Sequence, residues 1–520
     1  MWRSVLTTPC VIWAGLAVAM SHEAAAAAGD PVERPRLRAA SLRFGVTPEA
    51  GGPTASRTGA VVGEVHGPLK TTVTLLEDDS TRLCLVATDF GAINSLNVSD
   101  FYRRAVAEKL GLPAACVLLF SSHNHSGMSL ASNQVPAYFT EAGPPPEPEL
   151  LPVGREFLSE LGSCASRLPE MLEPVSVWWA EGREDRITHN AKGRRANGST
   201  YFMREEDRVL LGEDFCGDID QQAPIVLLKS TAGEPVGALV QFTGHPVTSY
   251  HPERPVVFGE WPMVACDIVG EHLSPGAPVA VGFLEGCAGD IASKMMFRGG
   301  VKMATRYGEM LGSSYVDALG KLRPSRRDGL DYAVEKVRVP LAPLPAEETL
   351  LDEIAEMEDF IRRASAGDEN TLECVGMNFP RELTPAYRGK LVEGILPWSR
   401  WALDLHKTGR ADTVAKHLEM EIYVIRLGDV GIVGMPCEPF QGIGRQIRAR
   451  SPLPLTIPCG YTNVSHGYVT DAPNTGDPEY PSCFYRYTKF RPPLAKPAGD
   501  VLAEKAVEVL ERFAGPQSPN

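Results

Sequence analysis

Five short segments, scattered between positions 121 and 470, share one pattern: each sets a potential ligand or polar side chain directly after an apolar run or a tight turn. A chain built this way must gather several distant strand ends at one place. The intervening sequence supplies the means. Strand-like runs at 71–76, 83–88, 116–121, 224–228, 236–242 and 279–284 alternate with helical patterns at 100–110, 155–168, 262–273 and 301–319. Gly111 and Pro169 stop the first two helices, and Pro262 opens the third. Residues 421–433 read as a hairpin through Gly428-Asp429, and 498–513 as a terminal helix. The expected fold class is α/β (α+β), with a mixed β-sheet core flanked by helices.

Composition limits the partners. The 520 residues are 43% hydrophobic and 22% charged, with a formal net charge of −14 and no long Lys/Arg block, so no nucleic-acid surface is expected. At the N-terminus, Arg3, an apolar core over 11–20 and small residues at 24–28 read as a signal peptide over 1–28. An uncleaved anchor is the alternative, although the apolar stretch is short for a span. The mature chain is expected to be secreted or periplasmic. Residues 29–40 read as a flexible N-terminus and 41–515 as a single domain, with an acidic, solvated helical insertion at about 340–373. The cysteines beyond Cys10 form no CxxC pair, which argues against a thiolate metal cluster. One or two disulfides stay open, and Cys84, Cys116 and Cys266 suit buried apolar positions.

The first of the five segments is Ser121-Ser122-His123-Asn124-His125-Ser126-Gly127. Histidines at i and i+2 of an extended chain point to one side, as two metal ligands would. The second, Thr243-Gly244-His245-Pro246, fixes a histidine between Gly and Pro after a strand. The third, Pro436-Cys437-Glu438-Pro439-Phe440, wedges a carboxylate between prolines, where burial needs compensation. The fourth runs from Tyr461 to Thr470 and contains Tyr468, with Tyr480 beyond it. Two imidazoles, a carboxylate and a phenolate make an acceptable zinc shell. The fifth, Gly286-Cys287-Ala288-Gly289-Asp290-Ile291-Ala292-Ser293, is a Gly-rich turn whose N–H groups could cradle an oxyanion. Taken singly, each has a plainer explanation: core histidines, a helix cap at Glu438, a core tyrosine, an ordinary strand-to-helix turn.

In this order the segments resemble the catalytic domain of the neutral/alkaline non-lysosomal ceramidase family, over roughly residues 41–490. Ser122 to Gly127 resembles its HTHSG-type motif, and His245-Pro246-Val247-Thr248 the setting of its second histidine. Pro436 to Phe440 resembles its PGEF-like segment, and Tyr468-Val469-Thr470 with Tyr480 its tyrosine pair. The resemblance implies that His123, His245, Glu438 and Tyr468 bind Zn(2+). It also implies that His125, Tyr480, Asp290 and Ser293 act in catalysis, and that Gly289 and Arg194 contact substrate. The implied reaction is hydrolysis of an amide bond in an N-acyl lipid or another amphiphile by a zinc-bound water. Ala292 stands where the family carries its serine, with Ser293 one residue later, and no C-terminal immunoglobulin-like domain is expected. A zinc esterase and a catalytically silent binding protein are the competing readings. Peripheral membrane contact and oligomeric state stay open.

Overall fold

Arg38–Val46 (β1), Leu69–Glu77 (β2), Arg82–Thr88 (β3), Val117–Ser121 (β4), Glu173–Arg183 (β5), Gln222–Ser230 (β6), Pro235–Phe242 (β7) and Val281–Glu285 (β8) form one large sheet in the computed structural model. Its order is β8-β7-β6-β5-β1-β2-β3-β4, with Arg323–Pro324 pairing beside β5. Interior neighbours run antiparallel, whereas β3–β4 and β7–β8 are parallel. A second sheet holds Leu330–Pro340 (β9), His417–Leu427 (β10), Val430–Gly434 (β11) and Leu455–Cys459 (β12) in that order, with β11–β12 parallel. The structure describes residues 36–54, 60–139, 144–212, 214–488 and 490–515, so the expected leader at 1–28 lies outside the described residues.

The apolar strand runs follow from burial on both faces. Along β4, Leu118 and Phe120 enter a core shared with Ile425, Ile432 and Ile457 of the second sheet. Val117 and Leu119, pointing the other way, pack among residues of Leu96–Leu110 (α1) and Pro152–Met171 (α2). Strand β6 divides in the same manner, Val226 and Leu228 inward and Ile225 and Leu227 toward Glu260–Leu273 (α3) and Gly300–Leu319 (α4). The core is therefore two mixed sheets face to face, each covered outside by helices; a second sheet is what the sequence pattern left out.

Each parallel pair is joined through a helix: α1 between β3 and β4, α3 between β7 and β8, and Gln441–Arg450 (α7) between β11 and β12. The carboxyl ends of these six strands carry Asp89, His123, His245, Gly289, Glu438 and Tyr461. Crossover folds collect ligands at such ends.

Two boundaries and one exposure differ from expectation. Residues 38–40, expected in a flexible tail, belong to β1. Helix α2 continues through Pro169 to Met171, the proline costing one helical hydrogen bond close to the end of the helix. The acidic helix, Glu347–Ser365 (α5), is not solvated all round. Leu350, Met357, Phe360 and Ala364 are buried within the cores it shares with Pro385–Lys407 (α6). Asp500–Ala514 (α8) closes the second sheet. All described cysteines are free, with Cys84 and Cys266 buried and Cys116 half-buried. Among the described residues no helix is long and apolar enough to cross a membrane.

Candidate metal centre

Strand β4 ends at Ser121, whose Oγ accepts from the His123 N–H at 3.0 Å. His123 adopts a left-handed backbone, φ 56°. The expected side-by-side arrangement of an extended HxH pair is thus replaced by a tight turn that sets the two rings edge to face at 84°, centroids 4.7 Å apart. The turn is anchored by Asn124, whose Nδ2 donates to the carbonyls of Asp89 and Phe258. Tyr461, also at positive φ, lays its ring 4.2 Å from that of His123.

His245 follows β7. Its Nδ1 lies 2.7 Å from the Ala288 carbonyl and 3.1 Å from that of Ile291, so this nitrogen carries the proton and the Nε2 lone pair faces the centre. Glu438 and Tyr468 are register partners in a short parallel bridge. The carboxylate turns away from α7, so it does not cap that helix. Its Oε2 lies 3.3 Å from Nε2 of His123 and 3.3 Å from Nε2 of His245. Nε2 of His125 is 3.1 Å from Nε2 of His123, and the Tyr468 hydroxyl is 3.4 Å from Nε2 of His245.

These spacings suit one cation. Two donors held 2.0–2.2 Å from a tetrahedral ion lie about 3.3–3.5 Å from each other. The ligand atoms of His123, His125 and His245 all lie within 4.8 Å of one another and could hold a metal. Burial lowers the affinity of His123 and His125 for protons, which keeps the imidazoles neutral, as ligands must be. Burial pushes the Glu438 carboxyl upward, but charge and hydrogen bonding from His123 and His245, when these carry a proton toward it, outweigh burial and hold the group below the usual carboxylate range.

The structure thus gathers His123, His245, Glu438 and Tyr468, and adds His125 as a further donor. Tyr480 packs edge to face on Tyr468, centroids 5.6 Å apart. Burial raises its pKa well above the usual tyrosine value, so its hydroxyl stays a donor. Asp290 accepts from the first N–H of α7, Gln441, at 2.8 Å, and burial raises its pKa to about 7.

Three expected roles need correction. Ser293 is fully buried beneath the site; its Oγ donates to the His245 carbonyl at 2.7 Å and accepts from the Trp261 indole at 3.3 Å. It supports the His245 backbone and does not face substrate. Arg194 is exposed on a short strand and donates to the Gly198 carbonyl, away from both cavities described below. Gly289 does line a cavity, but its N–H donates to the Pro439 carbonyl at 2.9 Å and is not free for an oxyanion. A Cβ there would stand 2.6 Å from the Glu438 carbonyl oxygen, so glycine is what lets the two segments touch.

Two cavities meet at the donors and share His125, Tyr250 and Tyr480. One, of about 210 Å³, is apolar and includes Val247, Ala292, Met296, Phe297, Phe379 and Leu383. The other, about 440 Å³, includes His123, Glu438, Asn94, Ser95 and Gln134. Helix α6 walls both with Tyr387 and Leu391, a contribution the sequence pattern left out; the helix carries proline at both Pro385 and Pro397. Pro385 in fact occupies the first turn, behind the N-cap Thr384.

No protein-family model matches the sequence, and no curated protein matches it. Solved structures do. Neutral ceramidase from Pseudomonas aeruginosa is similar at 16% identity and a TM-score of 0.58, over 92% of this chain and 75% of the other. A ceramidase complexed with C2 is similar at 16% identity and a TM-score of 0.60, over 94% and 77% respectively. The chain thus has a divergent neutral-ceramidase-like fold, a mixed α/β architecture whose strand ends converge on three histidines.

Proposed function

We propose that this chain is an exported zinc-dependent hydrolase that cleaves an amide bond in an N-acyl lipid such as ceramide, or in a related amphiphile. The carrying observation is the pair of 3.3 Å separations from Glu438 Oε2 to the Nε2 atoms of His123 and His245, beside an apolar cavity. Zinc, when held by His123, His245, Glu438 and Tyr468, with His125 at hand, supplies Lewis acidity and an acidified water. The other roles belong to the chain itself. The apolar cavity takes the acyl chain and excludes water from it. Tyr480, kept protonated by burial, donates to the oxygen on which negative charge develops. His125, on the wall shared by the two cavities, is placed to take a proton from the attacking water and return it to the leaving amine. Ala292 leaves the cavity wall without a hydroxyl at that position, so no serine nucleophile enters the scheme.

The departure at Ala292 also favours a second reading, a zinc esterase on the same scaffold. Purified protein, its chelated form and a zinc-reconstituted form assayed on N-acyl sphingosines, simple N-acyl amides and acyl esters distinguish the two. The amidase reading expects zinc-dependent release of amines. Hydrolysis of esters alone supports the esterase, and bound zinc without turnover on any substrate overturns both.

A further inference from the structure

Helix α6 presents Tyr387, Lys390, Leu391 and Gly394 to the larger cavity, at spacings of three, four and seven residues. Lys390 is exposed at this wall and has no acidic partner among the described residues. It is also the one Lys or Arg among the described residues lining either cavity. The other charged group of the larger cavity, Glu438, is engaged with two imidazoles. In a chain with 65 acidic and 51 basic residues, a basic side chain left unpaired at the wall of a reaction cavity marks a place for an external anion.

We propose that the larger cavity receives the amine-side half of the substrate and that Lys390 reads a negative group on it, so that the substrate class is an N-acylated amino acid. This rests on the amidase reading above. The apolar cavity offers no cation and only one acidic group, Asp290, so it fits the uncharged acyl chain. The wall shared by the cavities, His125 and Tyr480, fixes the amide between them. Hydrolysis then breaks the C–N bond, forms a C–O bond from water, and sends one water proton to the leaving nitrogen. The products are a fatty acid and a free amino acid whose carboxylate still faces Lys390. A neutral ceramide headgroup would leave that exposed ammonium to water and gain nothing from it.

The test compares N-octanoylglutamate with a neutral N-octanoyl amide on the zinc-loaded full chain; about 210 Å³ holds roughly seven water-sized groups, the bulk of an octanoyl tail. Lys390→Met is expected to raise KM for N-octanoylglutamate about tenfold more than for the neutral amide, the scale of one charge-assisted hydrogen bond. Lys390→Arg should restore the preference, and added salt should weaken it. Equal KM values for the two substrates, or no selective effect of Lys390→Met, overturns the assignment. Failure of the wild type to hydrolyse any N-acyl compound overturns the amidase reading instead. Calorimetric binding of N-octanoylglutamate then still decides the role of Lys390: about tenfold weaker binding to K390M upholds it, and equal binding overturns it.

Discussion

Ala292 and Ser293 are adjacent, yet one lines the cavity and the other supports the His245 backbone from behind. Ser293→Ala removes the bond to the His245 carbonyl and strands the Trp261 indole N–H. It should cost about 1–3 kcal/mol of stability while kcat changes by less than about tenfold. Chemical denaturation and steady-state kinetics check this; total loss of turnover in a folded variant would mean the hydroxyl takes part in the reaction. Gly289→Ala is predicted to be more damaging, because its Cβ has only 2.6 Å to the Glu438 carbonyl oxygen. Displacing that segment should weaken zinc binding at least tenfold, a supporting contact to a ligand being of that weight, as competition with a chromogenic chelator would show. At this scale the sequence brought out the side chains that the structure gathers, since His123, His245, Glu438 and Tyr468 each follow a strand or turn. It hid their supports: Ser293 is one hydroxyl among many, and nothing in Tyr461 announces that its ring will lie on His123.

A buried carboxyl ties the loop that follows His245 to α3. Glu260 opens α3 at φ 58°, fully buried, its Oε1 accepting from the Ser249 backbone and hydroxyl while Oε2 has no partner. Burial, only partly opposed by Ser249, raises its pKa from 4.5 to about 7. A carboxyl whose folded pKa is raised contributes stability below its unfolded pKa and loses it as pH climbs to the folded one. Between pH 4.5 and 7 the wild type should therefore lose up to about 3 kcal/mol relative to Glu260→Gln. Urea unfolding of both proteins at the two pH values measures the difference; parallel pH profiles would contradict it. Elements with an unbroken local signal were legible, among them α1 with its Gly111 cap and the apolar β4. Helix α6 was not, because propriety of proline at a first turn depends on the preceding Thr384. Strand β5 was missed because Glu173–Arg183 mixes polar and apolar residues without an apolar run, and β9 because Leu330–Pro340 leaves much of one face half-buried or exposed.

Across the whole molecule, the helix-joined parallel pairs explain how residues more than 300 positions apart share one place. An α/β fold with a sheet core could be read from the alternation of elements. That the core is two sheets could not, because an apolar strand buried by a helix and one buried by a second sheet look alike in sequence. The second sheet matters for function, since Glu438 follows β11 and Tyr461 follows β12, while both histidine segments follow strands of the first. The centre thus joins the two sheets, and metal removal is predicted to lower the thermal midpoint of the whole chain, which calorimetry with and without chelator would register. The most direct test is zinc-edge X-ray absorption on the purified, full-length protein. The account predicts about one zinc per chain in a shell of imidazole nitrogens and oxygens at about 2.0–2.2 Å. A shell containing sulfur at about 2.3 Å, or a folded protein that takes up no zinc, would contradict it.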